Sequence, residues 1–301
     1  MPPTTVNPVP PTGADSDAAP AAVSPPVTLK SLRAAAAKGT KFAALTCYDA
    51  TTARWLAAAG VPVLLVGDTA AEVILGEEST IYAPLDFMIL LTAAVKRGAP
   101  GCFVMGDMPF MSYHASDAEA IRNAGRFMTE GRADAVKLEV DRHGIRLVER
   151  LSRAGVPVVA HLGLLPQQVK RAGGYRAVGR VERESRELIA AAAGMEHAGA
   201  IMLLLEAMPA EVSAAIVEKV SLPVIGCGAG PSCHGQIVVL QDILGLTERQ
   251  PPFAQPLTHL GEPLTQAARQ WIERVSRSEL GPHPYQMRPV PGAQGASGNN
   301  G

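Results

Sequence analysis

The chain has 301 residues, 47% of them apolar and only 4% aromatic, with a formal net charge of −1. Such a load supports a globular body whose core is Ala, Val, Leu and Ile, and the lack of a basic block excludes nucleic-acid binding through a charged surface. No apolar run reaches the roughly 20 residues that span a bilayer, and the N-terminus reads as no signal peptide, so a cytoplasmic protein without membrane contact is expected.

Residues 1–27 are rich in Pro, Ala, Thr and Ser and nearly devoid of large apolar side chains. Such a stretch cannot bury enough surface to offset its ordering entropy and reads as disordered. Residues 28–280 form one patterned domain, and 281–301 a Pro/Gly/Asn-rich flexible tail. Within the domain, residues 28–38 predict an amphipathic helix closing a barrel floor. Short apolar runs follow at 42–47, 61–66, 102–105, 135–138, 156–160, 201–205, 222–226 and 237–240. Helical patterns separate them at 51–59, 84–96, 117–130, 145–154, 183–197 and 210–220. Ser116 with Glu119 reads as a capping box, and Pro62, Pro157 and Pro223 open strands. Several helices end in Ala-Gly, a C-terminal cap. Cys47, Cys102, Cys227 and Cys233 lack CxxC spacing and read as small hydrophobes of a reducing compartment.

About eight strands, continuously apolar and each followed by a helix, indicate a parallel sheet covered on both faces. Eight such units in about 250 residues predict a (β/α)₈ TIM-type barrel with an extra N-terminal helix; an open doubly wound sheet is the runner-up. In such barrels the chemistry sits at the C-terminal ends of the strands. There the sequence supplies Asp68, Asp107, Glu139, His161 and Glu206 after strands two to six, with Lys137 two residues before Glu139 and therefore on the same face. Each has a plain structural alternative: an N-cap for the aspartates, a buried hydrogen-bonded histidine, an ordinary Lys–Glu pair. Convergence of five adjacent strands favours a site. Carboxylates without paired histidines suit a hard cation such as Mg²⁺, and a 2-oxo acid can chelate the coordination positions left open.

The strings KFAALTCYD from Lys41, LLVGDT to Thr69, EEST to Thr80, AAVKRGAP to Pro100, DMPFMSY to Tyr113, VKLE to Glu139, AHLGLLPQ to Gln167, GGY to Tyr175, LLLEAMP to Pro209 and PVIGCGAG to Gly230 closely resemble the ketopantoate hydroxymethyltransferase family. The likeness runs from about Thr28 to Val275 in order and spacing. It implies that Asp68 and Asp107 hold Mg²⁺, with Glu139 close beside the ion. It also implies that Thr69, where the family usually has serine, grips the substrate carboxylate with Lys137, and that Asp107 and His161 line the substrate site. Glu206 is implied as the base that takes the C3 proton of 3-methyl-2-oxobutanoate, and 5,10-methylenetetrahydrofolate as the one-carbon donor. The product would be 2-dehydropantoate, in pantothenate and coenzyme A biosynthesis, and the assembly a homo-oligomer, commonly a decamer.

The chain departs from the family pattern at Ala70-Ala71, Glu77-Glu78, Val140-Asp141, Val178 and His234. These lie in loops, so keto-acid chemistry is better supported than the folate donor. Two other readings stand beside it: related carbon–carbon bond chemistry on another 2-oxo acid, and a non-catalytic oligomeric paralogue. The phosphoenolpyruvate mutase and isocitrate lyase relatives are disfavoured because their Lys-Lys-Cys-Gly-His type loop is missing.

Overall fold

The computed structural model describes residues 25–285 and 287; the expected disordered segment 1–27 lies almost wholly outside them, as does most of the tail. The described chain opens with α1 (Leu29–Ala37), β1 (Phe42–Thr46), α2 (Ala50–Ala58), β2 (Val63–Val66), α3 (Ala70–Val73) and α4 (Leu85–Gly98). It continues with β3 (Phe103–Asp107), α5 (Asp117–Thr129), β4 (Ala135–Glu139), α6 (Ile145–Arg153), β5 (Val158–Gly163), α7 (Val169–Ala172) and α8 (Glu182–His197). The last elements are β6 (Met202–Glu206), α9 (Ala210–Lys219), β7 (Val224–Cys227), β8 (Gly235–Val238), α10 (Leu240–Ile243) and α11 (Gly261–Ser276). The eight strands are all parallel and close into a barrel, β8 pairing back onto β1. This is the TIM-type architecture expected from the pattern.

Local chemistry explains the punctuation. Thr28 caps α1 in a reciprocal box with Ser31, whereas at α5 Ser116 accepts the Glu119 N–H at 3.2 Å. Pro62, Pro157 and Pro223 each stand one residue before a strand. Their carbonyls accept the neighbouring strand's first ladder bonds, from Phe103, Val136 and Leu203, so no donor is missed. Gly155 ends α6 at φ +84°, the left-handed cap position.

Strand parity separates two cores. The outward residues of the strands, such as Leu64, Val104, Leu138 and Leu203, pack under the helices with Met88, Phe127 and Met195. The inward residues Val63, Leu65, Phe103, Met105, Ala135, Val159, Met202, Leu204, Ile225 and Ile237 fill the barrel, with Leu32 of α1 packed among them. The N-terminal helix thus closes the interior as expected.

As expected, β3, β4 and β6 end in Asp107, Glu139 and Glu206, paired in register with their neighbours. Three limits differ: β2 stops at Val66, short of Asp68, β5 runs through His161 to Gly163, and β8 begins at Gly235 rather than 237, because Gly235 and Gln236 pair with β1 and β7 despite their lack of apolar side chains. The described residues from Gln241 onward form a separate compact unit, whose helix α11 buries no residue. Cys47, Cys102 and Cys233 are buried free thiols, and no helix among the described residues is long and apolar enough to cross a membrane.

Candidate functional site

The inward parity that fills the barrel with Phe103 and Met105 continues to Asp107. The same rule carries Ala135 to Lys137 and Glu139, Val159 to His161, and Met202 and Leu204 to Glu206. The C-terminal mouth is therefore lined by ionisable groups standing on apolar layers. Register brings Asp107 beside Lys137, Glu139 beside His161 and Gly163 beside Glu206. Gly163 is required there: at φ +106° an added Cβ would collide with the Glu206 carbonyl.

Asp68, Asp107, Lys137, Glu139 and His161 are all buried, His161 completely. Lys137 Nζ lies 2.6 Å from Asp107 Oδ2 but 4.0 Å from Glu139 Oε1, so its main partner is the aspartate on the neighbouring strand. Asp107 Oδ2 also accepts the Asp68 N–H at 3.0 Å. Asp68 does not cap a helix: Thr69 holds the N-cap position of α3, and its hydroxyl makes no capping bond. Asp68 Oδ2 instead accepts from Gln167 Nε2 at 2.8 Å, and Glu139 Oε2 accepts the Gln167 N–H at 2.9 Å.

Each of the three buried carboxylates thus has one oxygen held by the protein and one left over. Asp107 Oδ1 and Glu139 Oε1 are buried without a hydrogen-bond donor, and none is recorded for Asp68 Oδ1 among the described residues. His161 bridges to the far side of the mouth. Its Nδ1 lies 3.8 Å from Glu139 Oε1 and its Nε2 3.4 Å from Glu206 Oε2, neither aligned as a hydrogen bond. Glu206 is the most exposed member, its side chain 18% accessible.

Electrostatics follow from the burial. Burial and then the Asp107 charge push Asp68 up to about 8, against the pull of Lys137 and the Gln167 hydrogen bond. Burial likewise holds Glu139 well above the carboxylate range. Burial opposes the Lys137 charge, but Asp107, Asp68 and Glu139 together keep the ammonium protonated beyond its ordinary value. Burial, then Lys137, lowers His161, leaving its ring neutral near pH 7.

The residues fit a hard cation in one particular way. Among the described residues no three His, Cys, Asp or Glu form a complete metal cage. The available donors are all carboxylate oxygens, two of them orphaned in a buried pocket. Such a set suits Mg²⁺ held by one or two carboxylates with water or ligand completing its octahedron.

Sequence reasoning brought Asp68, Thr69, Asp107, Lys137, Glu139, His161 and Glu206 forward, and all of them line this mouth on β2 to β6 or the turn after β2. It assigned no role to Gln167 or Tyr113. Tyr113 OH donates to Gln167 Oε1 at 2.7 Å. Gln167 follows β5 in an apolar run beside a second glutamine, and only the fold distinguishes the two.

Comparison with known proteins gives the family and supports the fold. Residues 26–282 match the model of a family described as ketopantoate hydroxymethyltransferase. A curated relative from Thermobifida fusca named 3-methyl-2-oxobutanoate hydroxymethyltransferase is 46% identical over 249 residues, 83% of this chain and 89% of that protein. One of the same name from Pyrobaculum aerophilum is 44% identical over 78% of this chain and 90% of that protein. Among solved structures, phosphonopyruvate hydrolase in complex with oxalate and Mg²⁺ superposes with a TM-score of 0.56 at 14% identity, covering 83% of this chain and 87% of that one. 2,3-Dimethylmalate lyase, a PEP mutase/isocitrate lyase superfamily member, gives 0.53 at 18% identity, covering 87% and 92%. At such identities these two likenesses speak to the fold alone.

Proposed function

The chain belongs to the ketopantoate hydroxymethyltransferase family, and from that premise we propose that it transfers a hydroxymethyl group from 5,10-methylenetetrahydrofolate to 3-methyl-2-oxobutanoate. The product is 2-dehydropantoate, which places the reaction in pantothenate and coenzyme A biosynthesis. Supporting the chemical reading is one observation: a buried carboxylate cluster with unused oxygens stands across a neutral histidine from a separate, more exposed carboxylate. That division suits a reaction needing a polarised keto acid on one side and a base on the other.

Asp68 and Asp107 would hold Mg²⁺, with Glu139 close beside it, and the ion supplies Lewis acidity toward the oxygens of a bound 2-oxo acid. Lys137 and the Thr69 hydroxyl would receive the substrate carboxylate, the lysine being held by Asp107. His161 lines the pocket and separates the two carboxylate sets. Glu206 takes the C3 proton, and the electron pair released at C3 forms the new bond to the methylene carbon of the folate. Water supplies the hydroxyl oxygen, and tetrahydrofolate leaves with its nitrogens reprotonated.

A proton NMR time course in D₂O with Mg²⁺, 3-methyl-2-oxobutanoate and 5,10-methylenetetrahydrofolate tests this directly. Formation of 2-dehydropantoate is expected. Deuterium uptake at C3 without product would refute the folate donor and point to another carbon–carbon bond reaction at the same site. No change at either position would refute 3-methyl-2-oxobutanoate as the substrate and favour a different keto acid or a non-catalytic role.

A further inference from the structure

We propose that Gln167 is the positioning residue of the carboxylate cluster, fixing which oxygens of Asp68 and Glu139 face a bound divalent cation. The inference rests on the reading above that Asp68 and Asp107 hold that cation. Gln167 sits in a short turn after β5 and is only 3% exposed. Its backbone N–H and both ends of its side-chain amide are engaged, with partners on or just after β2, β3 and β4. The N–H donates to Glu139 Oε2 at 2.9 Å. The side-chain Nε2 donates to Asp68 Oδ2 at 2.8 Å and to the Met108 carbonyl at 3.1 Å. The side-chain oxygen accepts from Tyr113 OH at 2.7 Å. One residue therefore joins β5 to the turns after β2 and β3 and to the end of β4.

The amide orientation is dictated by its neighbours. The Met108 carbonyl can only accept, so turning the amide over would set oxygen against oxygen there and against Asp68. Tyr113 OH is compatible with that choice, lying 2.7 Å from Gln167 Oε1 and 3.2 Å from the Glu139 carbonyl; the orientation itself is set by Met108 and Asp68. The Met108 N–H in turn donates to the Lys137 carbonyl at 3.0 Å, which anchors the Met108 carbonyl to β4.

The consequence is a selection of oxygens. Gln167 occupies Asp68 Oδ2 and Glu139 Oε2, while Lys137 occupies Asp107 Oδ2. The remaining oxygen of each carboxylate is left for a cation, its waters or a bound acid. Without the amide, Asp68 is free to rotate and both its oxygens compete for Lys137. The backbone N–H arm to Glu139 survives any non-proline substitution, so a side-chain variant spares it and deletes the bonds to Asp68, the Met108 carbonyl and Tyr113.

The test is Mn²⁺ titration of the full-length protein, with free Mn²⁺ read by electron paramagnetic resonance, for wild type, Gln167→Met, Tyr113→Phe, Asp68→Asn and the double variant Asp68→Asn with Gln167→Met. Gln167→Met should weaken binding about 10- to 100-fold, the usual effect of removing a partner that orients a metal ligand. Tyr113→Phe should weaken it roughly 2- to 10-fold, the worth of one neutral hydrogen bond, and it serves as the test should Gln167→Met not fold. In the Asp68→Asn background the methionine should add little, because its effect runs through Asp68; a merely structural role would weaken both backgrounds alike. Wild-type affinity in Gln167→Met or Tyr113→Phe, or an undiminished loss in the Asp68→Asn background, overturns the proposal. Wild-type protein that binds no Mn²⁺, or Asp68→Asn that binds it as tightly as wild type, overturns it together with the metal reading beneath it.

Discussion

Replacing Lys137 by methionine keeps the volume and removes the only cation among three buried carboxyl groups. The Lys137 side chain is 5% exposed and those of Asp107 and Glu139 are 1%. Breaking such a pair leaves an uncompensated buried charge, at a cost of about 3–5 kcal/mol. Because burial already pushes Asp68 up to about 8 and Glu139 well above its range, the variant relieves part of that cost by protonation. The expected loss is therefore about 3 kcal/mol at neutral pH, at the lower end of that interval, and it shrinks toward pH 5. Urea unfolding of both proteins in EDTA at several pH values measures it. Breaking the exposed Arg153–Glu149 pair with Arg153→Ala provides the control and should change nothing measurable. A loss below about 1 kcal/mol, or one equal at acid and alkaline pH, would refute the account of Lys137 as the counter-charge that keeps these carboxylates buried.

Glu206→Gln should lower both turnover and C3 deuterium exchange by at least 100-fold while leaving Mn²⁺ affinity near wild type, because Glu206 stands apart from the cation's oxygens; equal loss of metal binding would contradict its role as base. Without metal, the raised Asp68 value makes the folded state bind a proton that the unfolded chain has already released. That stabilisation is complete below the unfolded value and disappears as pH climbs to about 8, so the melting temperature in EDTA should fall over that window and Mg²⁺ should flatten the fall. A profile that rises instead would show that Asp68 is not the dominant titrating group. Gly163→Ala forces a side chain onto the Glu206 backbone at φ +106°. It should lower stability by more than 1 kcal/mol in thermal denaturation, and activity with it; an unchanged melting curve would contradict the close approach of β5 and β6.

The barrel was legible because eight continuously apolar runs and the prolines and glycines between them are short-range signals. The polar ends of β3, β4 and β6 at Asp107, Glu139 and Glu206 were legible too, whereas the stop of β2 at Val66, the extension of β5 to Gly163 and the start of β8 at Gly235 were not, because ladder pairing rather than side-chain polarity sets those limits. The site list followed from strand position and parity, except for Thr69, which the family resemblance supplied, and so did the shared face of Lys137 and Glu139. The pairing did not follow, because Lys137 reaches across the ladder to Asp107 in preference to the glutamate two residues away on its own strand. Gln167 was opaque for a similar reason. Its partners are 28 to 99 residues distant in the chain, and nothing local distinguishes it from Gln168.

Under the proposed function, the same bonds give a reason for a divalent ion and an acid to bind at the mouth together. Three carboxylates, once ionised, face one ammonium, a shortfall of two positive charges in a region sealed from water. The metal-free protein meets that shortfall by protonation, as the raised Asp68 and Glu139 show. A divalent cation would meet it electrostatically and release those protons, so its binding should tighten as pH rises. A bound 2-oxo acid brings one further negative charge, which the Lys137 ammonium, anchored at 2.6 Å on Asp107, can share with the ion. Replacing Asp107 by asparagine removes a negative charge and the anchor of Lys137 at once. Lys137 would then turn toward Glu139, now 4.0 Å away, and the substrate carboxylate would lose its fixed partner even where metal is supplied in excess.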